Sequence, residues 1–506
     1  MRRALPAAVM VAMLAVIPPA LAETLPTLRI AQTDDPDALD PTLGRSYAGR
    51  VVFASLCDKL FDINEKLDIV PQLATSYTWL DPTTLRIDLR HDVMFHDGTK
   101  MDAAAVKYSL DRHRTFPGSA RRGEIATIDH VDVVDPYTVK LLLKTPSAPL
   151  LATLADRAGM IVSPKAAEAE GRDFALHPVC AGPFKFVERV AQDHITLERF
   201  DGYWNANTIH VGRVIFRTII DNTATIANLR AGAIDIAGAI VPTNVAAVKA
   251  DPKTRIVTFP ALGYLRIEFN VGRGPRGQGP MANVKIRKAF EAAIDRAAIN
   301  DVVYGGMYTP NAQAISPSSP YYDPGLPPPG RDLARARRLL AESGVKLPVS
   351  FTMNVPNSPT SLQTAEVIQS MVAEAGFDMK INAMEFATSL DANTQGDFET
   401  YLITWSGRPD PDGNLWSFLH SGPPGAGSAT GYANPEMDRL LDDARAELDM
   451  PRRVALYRQV VQLAEQDLPI MNIYTPMNIV GLSAKMSGFS PVPDGLIRPQ
   501  GLVVGK

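Results

Sequence analysis

The chain has little cysteine: two in 506 residues, which excludes a disulfide-dense scaffold and a four-cysteine zinc site. It has no surplus of basic charge, since 51 Lys and Arg against 55 Asp and Glu give a formal net charge of −4. That balance removes the electrostatic argument for a nucleic-acid partner. Beyond residue 22 no run is long and apolar enough to span a bilayer. A phosphate-binding loop with its lysine and a Gly-x-Ser-x-Gly elbow are both missing. No nucleophile–base set stands out, so no enzyme, no cofactor and no metal centre is expected. What is present is ordinary for a large folded chain of roughly three domains: 46% hydrophobic, 7% aromatic and 21% charged residues.

The first 22 residues have the parts of an export signal. Met1-Arg2-Arg3 is a short basic start, Ala4 to Ile17 is almost wholly apolar, and Pro18-Pro19 breaks a helix there. Ala20-Leu21-Ala22 is the small-x-small pattern that precedes cleavage. No cysteine follows the cut, so a lipid anchor is not expected and a soluble periplasmic protein is. Cleavage removes two arginines, leaving 49 basic against 55 acidic residues. In an oxidising compartment Cys57 and Cys180 are a candidate disulfide closing a loop of about 120 residues; the alternative is two separate buried thiols.

The mature chain alternates strand and helix patterns. Leu28 to Ala31 reads as a strand, 47–61 as a helix, and 84–90, 131–134 and 139–143 alternate as strands around a helix from Asp102 to about Arg114. Strands at 195–197, 214–219 and 265–270 follow, with a helix over 223–231 closed by Gly232. The Gly/Pro-rich stretch Gly272 to Pro280 reads as a linker between two α/β lobes. Beyond it come one amphipathic helix over 284–303, a helix from Asp332 to Gly344, and a strand–helix–strand unit over 349–381.

Gly272 to Gly277 has dinucleotide-loop spacing, but Pro275 and Pro280 delay the next helix past the point where a pyrophosphate would sit. His91 and His96 lack a third partner and a helical pairing, so they read as structural. The richest loop is Trp405-Ser406-Gly407-Arg408-Pro409-Asp410-Pro411-Asp412-Gly413-Asn414, which follows the strand Tyr401 to Thr404. Loops at strand ends of open α/β sheets are where ligands bind.

Several blocks occur together and in order: Val70-Pro71-Gln72-Leu73-Ala74, Phe95-His96-Asp97-Gly98, Ala181-Gly182-Pro183-Phe184 with Tyr203-Trp204, Val284 to Asp295, Arg335 to Gly344, and Tyr432-Ala433-Asn434-Pro435. By these the chain resembles the dipeptide/oligopeptide class of family 5 extracellular solute-binding proteins, the periplasmic receptors of bacterial ABC importers. The resemblance implies a two-lobed α/β fold of the class II periplasmic-binding type with a mixed α+β insertion. It implies lobe 1 over 23–55 and 183–272, the insertion over 56–182 with Cys57 and Cys180 at its ends, lobe 2 over 273–478, and a lobe 1 return over 479–506. The crossovers would lie near 270–282 and 475–485. A monomer would enclose a peptide or peptide-like solute between its lobes and dock on the ABC permease in the inner membrane.

The resemblance also puts candidate ligand contacts at Trp405, Arg408, Asp410, Tyr47 and Tyr264. Where the peptide binders carry an aspartate for the peptide's ammonium, this chain carries Arg408. That change favours a ligand with a carboxylate or phosphate, unless Arg408 pairs with Asp410 or Asp412. The alternatives are a nickel or metallophore receptor on the same fold, and a secreted hydrolase.

Overall fold

In the computed structural model, Leu28 and Ile30 alternate with Arg29 along Thr27–Gln32 and bury one face of a central strand. The structure describes residues 25–422 and 428–505; the export signal expected over 1–22 lies outside the described residues. Thr27–Gln32 pairs in parallel with Arg213–Thr218 on one side and Ile236–Ala237 on the other. The seven-stranded sheet of lobe 1 continues through His194–Arg199 to Phe184–Val190 at one edge, and through Met477–Ser483 to Thr254–Pro260 at the other.

Lobe 2 has a six-stranded sheet in the order Thr309–Pro310, Ile470–Thr475, Tyr264–Phe269, Thr400–Trp405, Val349–Pro356, Phe377–Met384. All six residues of Tyr264–Phe269 are buried, as a strand covered on both faces requires. An antiparallel four-stranded sheet, Ala74–Asp81, Thr84–Leu89, Thr138–Leu143 and Ile128–Asp135, forms the insertion with the helix Ala103–Thr115.

Three expectations are corrected. The strand Tyr264–Phe269 belongs to the sheet of lobe 2, so the first crossover is Ala261 to Gly263 and lies ahead of 270–282. The Gly/Pro-rich stretch is instead two 3-10 turns, Pro275–Gln278 and Pro280–Ala282, of lobe 2. Such composition marks a turn but does not say which sheet the preceding strand joins. The second crossover is Pro476, between Thr475 and Met477 and within the expected 475–485, but the return to lobe 1 starts before 479. The helix read as continuous over 284–303 breaks at Ile294. Asp295 caps a new helix, Arg296–Tyr304, by accepting from the Ala298 amide at 2.9 Å.

The insertion is tied to lobe 1 at its neck. Cys57 and Cys180 are bonded, with Cα atoms 4.9 Å apart and a separation of 123 positions in sequence. Beside them the His96 ring accepts from the Cys180 amide through Nδ1 at 3.3 Å and donates to the Gly182 carbonyl through Nε2 at 3.0 Å. A second tie is fully buried. Arg112 pairs with both oxygens of Asp40 at 2.8 and 2.7 Å and donates to the Thr42 hydroxyl. Thr42 in turn donates to His113 Nδ1 at 2.9 Å, and His113 Nε2 donates to the Met160 carbonyl. This chain of partners needs a neutral imidazole with the proton on Nε2.

Replacing both cysteines by serine should lower stability by about 4–5 kcal/mol from loop-closure entropy, read as a drop in the urea midpoint. Burial pulls the His113 imidazole down to about 4 from 6.5. Its neutral form therefore stabilises the fold fully above pH 6.5, and this is lost as pH falls toward 4. The Tm advantage of the wild type over His113→Gln should be widest at pH 7.5 and shrink at pH 4.5, a loss on the order of 3 kcal/mol. A gap independent of pH would contradict the assignment.

Candidate functional site

The loop after Thr400–Trp405 is held by one amide. Asn414 Oδ1 accepts from the Trp405 indole at 3.0 Å and from the Arg408 amide at 2.7 Å, while Asn414 Nδ2 donates to the Arg408 carbonyl at 3.0 Å. Gly407 lies in the left-handed region with φ +76°, and a Cβ there would collide with the backbone of Leu262 in the first crossover. The loop is thus fastened to the crossover, which fixes Trp405 and Arg408 relative to the hinge. The Trp405 ring stands edge-on to Phe418 at 4.8 Å and carries the Arg408 guanidinium at 4.5 Å from its centroid.

Arg408 points across the interface between the lobes. Its Nε lies 2.7 Å from Oδ2 of Asp156, a residue of the insertion, and both side chains are 9% exposed. The other oxygen of Asp156 accepts from Arg50 Nε at 3.1 Å. Arg50 Nη1 reaches over to the Ser406 hydroxyl at 3.0 Å. Arg408 Nη1 donates to the Gly407 carbonyl at 2.8 Å, whereas Nη2 is buried and has no partner among the described residues. Arg121 and Arg157, also buried, complete the cluster, and Arg121 pairs with Glu124 at 2.6 Å. Burial would raise the Asp156 carboxyl, but the Arg408, Arg50 and Arg157 guanidiniums hold it well below the usual carboxylate range. Burial pulls Arg408 down to about 10 against the attraction of Asp156, so it is charged at neutral pH.

A cavity of about 50 Å³ adjoins this pair, walled by Ala152 and Thr153 of the insertion and by Trp405, Arg408, Trp416 and Ser417 of lobe 2. It has room for a few waters or one polar group of a ligand. Further contacts close the lobes. Arg45 meets Asp391 at 2.6 Å and Thr394 at 2.7 Å, and the Ala148 amide donates to the Arg445 carbonyl at 2.9 Å. The Arg45 pair is largely exposed and worth about 0–1 kcal/mol.

The five sequence candidates do not all converge. Trp405 and Arg408 line the cavity. Asp410 also borders it, but its two oxygens are taken by Arg453 at 2.6 and 2.8 Å, so it neither orients Arg408 nor is free for a ligand donor. Asp412 likewise pairs with Arg445 at 2.8 and 2.7 Å, which leaves Arg408 to neither acid of its own loop. Arg453 and Arg445 come from later helices, and nothing local to the loop announced them. Tyr264 is corrected outright: it is 1% exposed in the core of lobe 2, its hydroxyl donating to the Asn414 carbonyl at 2.8 Å. It supports the loop and does not wall the cleft. Tyr47, 37% exposed at the start of the helix Tyr47–Leu56, sits over Gly495 of the returning segment. Sequence reasoning missed Arg50 and Asp156. The available signal was charge beside an apolar stretch: Arg50 before Val51-Val52, and Asp156-Arg157 just after Leu150 to Ala155. Among the described residues no three His, Cys, Asp or Glu side chains converge as a metal site would.

Residues 68–426 match the model of "Bacterial extracellular solute-binding proteins, family 5 Middle". The chain belongs to this family. Its members bind solutes for ABC importers and are not enzymes. The glutathione-binding protein GsiB of Pectobacterium atrosepticum is 29% identical over 472 residues, covering 91% of this chain and 90% of GsiB. Among solved structures, AgaA with agropinic acid from A. tumefaciens R10 superposes with a TM-score of 0.87 at 24% identity, over 95% of this chain and 99% of AgaA. DppA from Helicobacter pylori with the peptide STSA gives a TM-score of 0.87 at 23% identity, over 95% of this chain and 98% of DppA. The two structures are alike in fold, a two-lobed α/β receptor, and are described as periplasmic binding proteins.

Asn414→Ala removes three hydrogen bonds, two of them to the buried backbone of Arg408. It should destabilise the protein by about 2–4 kcal/mol in denaturant unfolding.

Proposed function

We propose that this solute-binding protein captures a small, peptide-like solute carrying a carboxylate and that Arg408 receives that carboxylate in the cleft between the lobes. The observation that carries the reading is the unpartnered Nη2 of Arg408, buried beside a cavity to which both lobes contribute. A buried guanidinium donor costs free energy until an acceptor meets it, and a carboxylate is the acceptor whose charge also matches. The surrounding guanidiniums of Arg50, Arg121, Arg157 and Arg408 outnumber the carboxylates of Asp156 and Glu124, which adds to the demand for an anion. A free peptide ammonium would be repelled at the same place. Trp405 serves as the wall on which Arg408 lies.

The ligands of two similar proteins, glutathione for GsiB and agropinic acid for AgaA, are both organic acids, in keeping with this reading. The charge-paired Asp410 leaves the ammonium-binding alternative without a free carboxylate in this loop. We place the mature protein in the periplasm as a monomer after cleavage behind Ala22, where its closed, loaded form docks on the permease of its importer. Closure follows from contacts that the ligand makes with both lobes.

Thermal-shift measurements on the mature protein should give a rise in Tm with glutathione or another di-acid peptide and none with lysyl-lysinamide, which carries no carboxylate. Arg408→Asp should weaken binding of the acidic ligand by about 10- to 100-fold and leave lysyl-lysinamide equal or better. An unchanged preference in the variant would refute the role of Arg408.

A further inference from the structure

We infer that Glu124, a residue of the insertion, binds an ammonium group, so that the cavity takes the free α-amino-acid head group of its solute, carboxylate on Arg408 and ammonium on Glu124. This builds on the carboxylate reading of Arg408 and adds the second charge of the ligand. Four acids line the cavity: Glu124, Asp156, Asp410 and Asp412. Three of them are engaged through both oxygens, Asp410 by Arg453, Asp412 by Arg445, and Asp156 by Arg50 and Arg408. Glu124 gives only Oε1, to Arg121 at 2.6 Å, and its Oε2 has no partner among the described residues. Arg121 also donates to the Gly44 carbonyl at 3.2 Å, which holds the Glu124 carboxylate in place. The Thr153 hydroxyl, whose proton goes to the Pro149 carbonyl at 3.0 Å, offers a second acceptor from the same wall.

Arg408 comes from lobe 2 and Glu124 from the opposite half, and the charge of Glu124 acts on Arg408 as an attraction. A group that satisfies both must carry an anion and a cation side by side. The amino end of a peptide brings an ammonium with no carboxylate next to it, and it meets the Arg408 guanidinium unshielded. The carboxyl end of a peptide brings no ammonium and leaves Glu124 unmet. An α-amino-acid head group carries both charges on one carbon, and a cavity of about 50 Å³ has room for a group of that size. The solute class is therefore a γ-linked glutamyl peptide or another amino acid joined to the rest of the molecule through its side chain. Such a head group touches both halves at once, which is what ligand-driven closure requires.

Isothermal titration calorimetry of the mature protein tests this with glutathione, a γ-glutamyl peptide, against glutaryl-Cys-Gly, the same molecule without its ammonium. The wild type should bind glutathione about 10- to 100-fold more tightly, the worth of a hydrogen bond between charged groups. Glu124→Gln should abolish that preference. Equal affinities in the wild type overturn the inference, and so does a preference that survives in Glu124→Gln. The wild-type comparison decides the matter alone if the variant does not fold by circular dichroism. Either of these failures leaves the carboxylate reading standing, since glutaryl-Cys-Gly keeps the carboxylate that Arg408 receives. Unchanged affinity of Arg408→Gln for both compounds overturns that reading and the head-group assignment with it. A wild type that binds neither compound is equally fatal to the assignment.

Discussion

The chain passes between its two sheets twice, and the two passages run side by side. Thr254–Pro260 and Met477–Ser483 pair antiparallel in lobe 1, and their continuations Tyr264–Phe269 and Ile470–Thr475 pair antiparallel in lobe 2. One two-stranded ribbon therefore runs through both lobes, interrupted only at Ala261 to Gly263 and at Pro476. Hydrogen bonding on either side keeps each lobe rigid, and the few residues between are left to absorb rotation. The close approach of Gly407 to Leu262 brings the loop that carries Arg408 to this crossover, so the orientation of Arg408 is coupled to the position of the lobes.

The hydrogen bonds and ion pairs that join the lobes across the cleft involve charged and polar groups, and physical chemistry gives a reason. An interface that opens must be soluble when open, which a large apolar patch is not. Buried ion pairs suit such a contact because their mutual attraction largely offsets the cost of dehydrating them, leaving a small net preference. Asp156 with Arg50 and Arg408 has this character, whereas the cores of the two lobes are built from aliphatic and aromatic side chains. Stability is thus concentrated within the lobes and at the neck of the insertion, and the seam between lobes is left close to balance.

Much of the architecture was legible in the residues. Asp102, Asp332 and Asn434 cap helices where a short polar side chain precedes an apolar period. Gly232 and Gly344 end helices in the left-handed conformation. The hinge was not legible, because Gly272 to Pro280 has the composition of a linker while the true crossover, Ala261-Leu262-Gly263, is three residues of no special character. Within the site, the loop from Trp405 to Asn414 stood out by composition, yet which acid met Arg408 did not. Asp410 and Asp412 were near in sequence and already engaged by Arg453 and Arg445.

Local sequence by itself determined the receptor family, the two α/β lobes, the cysteine pair as a candidate staple and the cation at position 408. These follow from short-range spacing and composition, which survive without knowledge of the fold. Tertiary structure alone decided the partners of the charges, the burial of Tyr264 and the place of the hinge. Each depends on contacts between segments from tens to hundreds of residues apart: Asp410 meets Arg453 from 43 positions away, and Arg50, Asp156 and Arg408 share one cluster spanning positions 50 to 408. Charge in a buried site is settled by the nearest opposite charge in space, and distance in space is what a linear sequence does not record.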